Sequence, residues 1–186
     1  MDTWVWIVIA ILVIAVVAGI VWAAMSRRRT ATLQEQFGPE YERTMRTSES
    51  RRDAENELSA RRERRAALDI RPLSASARDR YADAWRDVQA GFVDEPATSL
   101  VEANRLVLIV MRERGYPMDD FEQRVADISV DHPDVVEHYR AANAISADAA
   151  DDRMTTEDLR QGLVHYRALF ADLLGPDDQE QLSQAR

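Results

Sequence analysis

The stretch WVWIVIAILVIAVVAGIVWAAM, Trp4 to Met25, carries no charged side chain and a single glycine, Gly19; Ser26 and the triplet Arg27-Arg28-Arg29 follow at once. As a helix it rises about 33 Å, close to the thickness of a bilayer's hydrocarbon core. The run predicts a transmembrane anchor over residues 1–26. A cleaved leader is the competing reading, and it would make the chain an exported protein. Leaders want a basic start and an apolar core of about 7–15 residues. Here Met1-Asp2-Thr3 supplies an acid and the run is longer, so a retained anchor fits better, although Ala23-Ala24-Met25-Ser26 offers small residues for cleavage.

Positive flanks stay in the cytoplasm. Arg27, Arg28 and Arg29 follow the run and no base precedes it, which predicts a single-pass protein of the cell membrane. Its N-terminus would lie outside and its C-terminal domain in the cytoplasm. Trp4 and Trp6 at one end, and Trp22 at the other, suit the interfacial belts where indoles settle. Ala15, Gly19 and Ala23 repeat every fourth residue, a candidate strip for close helix packing and hence for a homodimer.

Composition removes several chemistries. With no cysteine among 186 residues there are no disulfides, thiolate nucleophiles or cysteine metal sites. All 24 basic residues are arginine, which excludes a Schiff-base lysine and the lysine of a phosphate loop. The net charge of −9 is unevenly spread: Ser26 to Arg80 holds 14 arginines against 10 acids, Tyr81 to Arg186 holds 10 against 22. A basic neck beside an anionic leaflet, with an acidic body held away from it, agrees with the cytoplasmic placement.

Beyond the anchor, Phe37-Gly38-Pro39 should interrupt the helix and Pro39 open a new one. Glu40 to Leu68 lacks proline and glycine and is rich in Arg, Glu and Ala, which predicts one long solvated helix within a basic neck over residues 27–73. The body, residues 74–175, should be a compact bundle of about five helices. Ser74 caps a helix carrying Ala77, Tyr81, Trp85, Val88 and Phe92. Asp94-Glu95-Pro96 opens the next, which is apolar around most of its circumference and so should be the central one. Gly115 ends it, with Tyr116 folding back on Met111. A shorter helix uses Phe121, Val125 and Ile128. Asp131-His132-Pro133 repeats the earlier cap pattern before Val135, Val136, Tyr139 and Ile145. Thr155 or Thr156 caps the last helix, with a stripe of Leu159, Leu163, Tyr166, Phe170 and Leu173. Residues 176–186 read as a disordered tail. The fold class is all-α.

No catalytic, cofactor-binding or metal site is expected. The histidines are His132, His138 and His165, and the positions three before them, Ser129, Val135 and Gly162, lack the carboxylates of a di-iron helix pair. Asp134 and His138 share a face, but two ligands do not close a metal site. Isolated glycines exclude phosphate loops and dinucleotide fingerprints. The cluster Arg61, Arg62, Arg64 and Arg65 lacks interleaved aromatics, so no nucleic acid is expected and a solvated face is favoured.

At Gln36-Phe37-Gly38-Pro39-Glu40-Tyr41-Glu42-Arg43, at Met111 to Arg124, at Ser129-Val130-Asp131-His132-Pro133 and at His165-Tyr166-Arg167, the chain resembles an uncharacterised family of bacterial single-pass membrane proteins. That resemblance implies a shared architecture of apolar N-terminus, Arg/Glu-rich neck and helical C-terminal domain, with no activity to carry over. The expectation is a non-enzymatic adaptor or scaffold whose partners are the lipid bilayer and an unknown protein. The alternative is a ligand-binding or enzymatic domain with an inter-helix pocket near Trp85, His138, Tyr139 and His165.

Overall fold

The structure is a computed structural model describing residues 3–148 and 154–175, and it divides into two compact units, Met1–Leu58 and Ser59–Arg186. The described residues form seven helices and no strand. The expected tail over residues 176–186, together with residues 1–2 and 149–153, lies outside the described residues.

In the first unit, helix α1 covers Thr3–Thr47 with a break at Gly38, whose φ of 44° and ψ of −122° are not helical. Glycine alone adopts such angles without strain, and Pro39 then restarts the helix. Among the described residues one helix is thus long and apolar enough to cross a membrane; its most apolar window has a mean hydropathy of 1.8 and none of it is buried in protein. Beyond Arg29 the surface changes: Leu33, Phe37, Tyr41, Ala54 and Leu58 are all buried.

The single solvated helix expected from Glu40 to Leu68 does not form. The chain leaves the helix at Ser48–Ser50 and α2 begins afresh over Arg51–Ala67. Hydroxyls compete with the helical ladder here, as serine and threonine do at caps and turns. Ser50 Oγ accepts the Asp53 amide at 3.2 Å and donates to the Asp53 carboxylate at 2.6 Å, capping α2.

The second unit begins at Ser59, well before Ser74, so the C-terminal half of α2 belongs with the body. It continues with α3 (Ala75–Gly91), α4 (Pro96–Arg114), α5 (Phe121–Asp131), α6 (Val136–Asp148) and α7 (Thr156–Leu174). Helix α4 packs on α3, α6 and α7, and α7 also packs along α6. The core runs through Tyr81, Trp85, Leu100, Val107, Met111, Ile128, Tyr139, Tyr166 and Phe170. Trp85 stacks on Phe170 with ring centres 4.6 Å apart, worth about 0.5–1.5 kcal/mol beyond the area it buries.

Caps explain most helix ends. Ser74 accepts the Ala77 amide, Asp120 the Gln123 amide, and Thr155 forms a reciprocal capping box with Asp158. Two expected caps are corrected. Glu95, not Asp94, precedes α4 and makes no side-chain cap bond. Asp131 is the last residue of α5 rather than the start of α6, because its carboxylate is taken by Tyr116 and Arg65.

Gly115 ends α4 at φ 97°, and the Tyr116 amide reaches the Met111 carbonyl at 3.0 Å. A Cβ at this position would lie 2.5 Å from the Asp69 carbonyl oxygen, while Arg71 N donates to Arg114 O at 2.8 Å. Both the left-handed backbone and the strand of chain crossing over it require glycine. Gly115→Ala should therefore cost about 2–3 kcal/mol, read as a lower thermal midpoint by circular dichroism.

Candidate functional site

Glu55 ties together three segments of the first unit. Its Oε1 accepts hydrogen bonds from Thr30 Oγ1 at 2.7 Å, Arg51 Nε at 2.9 Å and Tyr41 OH at 3.2 Å. Arg29 closes the same junction, donating to the Glu55 carbonyl at 3.4 Å and to Asn56 Oδ1 at 3.1 Å. Burial by itself would raise the Glu55 carboxyl; the bonds from Arg51, Thr30 and Tyr41 outweigh it and hold the group below the ordinary carboxylate range. Beside this clasp a cleft of about 620 Å³ opens between the Trp22–Arg29 face of α1 and the first turns of α2. Sequence reasoning missed the clasp, because nothing near Glu55 in the sequence marks Thr30 and Tyr41, 25 and 14 residues away, as its partners.

The residues named as a candidate pocket in the body are not one open site. Trp85 is fully buried beneath Phe170, and Tyr139 is buried against Phe121 with its hydroxyl accepting from Arg124 Nε at 3.2 Å. His138 and His165 do come together, Nδ1 to Nδ1 at 2.8 Å, half-buried between α6 and α7. At that distance one nitrogen donates and the other accepts, so the pair shares one proton between facing lone-pair sites. Burial and then the neighbouring His138 lower the His165 pKa. Among the described residues no group of three or more His, Asp or Glu side chains converges as a metal site.

His132 has a structural partner set. Its Nε2 lies 3.1 Å from Arg114 Nη1, and its Nδ1 is hydrogen-bonded to Asp172. A guanidinium can only donate, so Nε2 is the acceptor and Nδ1 carries the proton toward the carboxylate. The orienting half of an acid–base arrangement is present, but an arginine occupies the place where a nucleophile's hydroxyl would sit. Arg114 also donates to the Leu173 carbonyl at 3.1 Å, so the trio locks the ends of α4, α5 and α7.

The arginine cluster on α2 is largely committed within the body. Arg61 reaches Ser129 at 3.5 Å, Arg64 lies 4.0 Å from the buried Asp127, and Arg65 bonds Asp131. The face expected to be solvated is therefore partly a docking seam to α5, with Arg62 and Arg64 still exposed. Tyr116 completes the seam, donating to Asp131 at 2.7 Å, and burial pushes its hydroxyl far above the usual tyrosine range.

One surface groove stands out in the body. About 550 Å³ in volume, it lies between α3 and α4 on a floor that includes Val88 and Leu106. Asp87, Asp94, Glu95 and Glu102 line it against one base, Arg105. Val93 and Val101, on the adjoining turn and helix, are exposed.

Glu55→Ala should remove three bonds to a buried group and loosen the first unit by about 2–3 kcal/mol, seen as faster hydrogen exchange in residues 30–58. In the body, a His165 pKa below its ordinary value means stability is fully present above about pH 6.5 and is lost as pH falls through the folded value. The thermal midpoint should drop from pH 7.5 to pH 5, and His138→Gln with His165→Gln should flatten that dependence.

No protein-family model, curated protein or solved structure matches the chain, so what it does is argued from its own residues.

Proposed function

We propose that the chain is a single-pass membrane protein presenting a helical adaptor body at the cytoplasmic face, with α1 as its anchor. The supporting observation is the uncovered apolar helix: a window of mean hydropathy 1.8 with none of it buried, running directly into Arg27, Arg28 and Arg29. In water, the 14 large apolar side chains exposed along this run among the described residues would drive aggregation; in hydrocarbon they are at home. Trp4 and Trp22 are 62% and 74% exposed at opposite ends of the run, as interfacial anchors would be. The arginines set the orientation, leaving the N-terminus outside. Ala15, Gly19 and Ala23 lie exposed along one strip, open to a second copy of the helix.

The adaptor role is supported by the acidic groove of α3 and α4. An apolar floor ringed by Asp87, Asp94, Glu95 and Glu102 suits a basic amphipathic protein segment, which would bury its apolar face and pair its charges at the rim.

Carbonate extraction of membranes should leave the full-length protein in the pellet, and reporters fused to each terminus should place the C-terminus inside. A soluble mature chain, or an active exported reporter at the C-terminus, would falsify the reading. A synthetic Arg/Leu amphipathic helix should bind the full-length protein in nanodiscs. Asp87→Arg with Glu102→Arg should weaken that binding about tenfold or more, with a steep salt dependence.

A further inference from the structure

The cleft beside the Glu55 clasp has two unlike walls. Trp22, Met25, Ser26 and Arg29 follow one another at helical spacing along one face of α1, and Arg51 and Arg52 project from the first turn of α2. Trp22 and Met25 are 74% and 66% exposed, so the upper wall is apolar and open. Arg29 at the end of that face joins Arg51 and Arg52 of α2, so the cleft holds three guanidiniums against one carboxylate, Glu55, whose Oε1 is already occupied by Thr30, Tyr41 and Arg51. From Trp22 to Arg29 the helix rises about 10 Å, slightly more than the headgroup layer of one leaflet. The cleft's volume of about 620 Å³ lies within the range of roughly 300–1,000 Å³ typical of small-molecule sites.

We propose that this cleft binds the phosphodiester headgroup of an anionic membrane lipid, with Arg51 and Arg52 on the phosphate and Trp22 and Met25 along the start of the acyl chains. The inference rests on α1 spanning the bilayer and holds for either orientation. Arginine's planar donors match phosphate oxygens, and its charge adds attraction near an anionic surface. A free phosphate ion would use the guanidiniums but leave the apolar wall idle, which favours the lipid. Arg52 is the cleanest contact, because it makes no hydrogen bond or ion pair with any described residue. Arg51, by contrast, also holds Glu55.

The test uses the full chain in phosphatidylcholine bilayers, with chain-labelled phosphatidylglycerol or phosphatidylcholine as the probe and the motionally restricted lipid fraction as the readout. The native chain should select phosphatidylglycerol several-fold. Arg52→Gln should reduce that preference about threefold to fivefold without changing the thermal midpoint, whereas Arg62→Gln should leave it intact. Inorganic phosphate at matched ionic strength should not displace the labelled lipid. Displacement to the phosphatidylcholine level would reassign the site to the free ion and overturn the proposal. So would equal association of both lipids with a chain that resists carbonate extraction, or an unchanged preference in Arg52→Gln. A chain that carbonate removes from the bilayer overturns the membrane reading itself, so the two failures are told apart.

Discussion

Glu55 carries the constraint on which the first unit depends. A carboxylate removed from water must be met by donors, or it becomes the most costly group in its surroundings. Here the donors come from Thr30 before the Gly38 break, Tyr41 after it, and Arg51 beyond the turn at Ser48–Ser50. Satisfying one anion therefore fixes three segments at once, which neither the apolar stripe of α1 nor helix propensity could do. The same arrangement leaves Arg29 and Arg52 facing the cleft beside Trp22, so the packing of the clasp and the chemistry of the cleft have a common origin.

Arginine serves the rest of the chain in a similar way. Arg61, Arg64 and Arg65 spend their donors on α5, and Arg114 bridges His132 to the end of α7. A planar guanidinium with several fixed donors can satisfy more than one acceptor from a partly buried position, whereas a point charge would satisfy them less specifically. The seam also explains the buried Asp127: burial raises its carboxyl, and Gln123, with Arg64 nearby, partly offsets that. Charges that look like a solvated surface in one dimension become the joints of the body in three.

The two histidine sites differ in kind. His132 is held from both sides by unlike partners, so its proton has one place to be. His138 and His165 face each other as like groups across α6 and α7, so charging one ring replaces its acceptor with a second N–H facing the first, and charging both sets two cations side by side. The first is a joint, and the second is a point where acid loosens the body.

Local order was legible in the residues. The apolar run from Trp4 to Met25, the break at Gly38-Pro39, the caps at Ser74 and Thr155 and the stop at Gly115 all follow from side chains acting on backbone within a turn or two. The stripe from Leu159 to Leu173 is buried because periodicity alone puts those residues on one face. What tertiary structure decided was the use of polar groups. Whether Glu55 faces water or a clasp, whether Asp131 caps a helix or receives Tyr116 and Arg65, and whether Trp85 lines a pocket or lies under Phe170 depend on partners 14 to 85 residues away along the chain. Periodicity carries no information about such distant partners. A polar side chain's role is settled by the group it meets, and only the folded chain brings the two together.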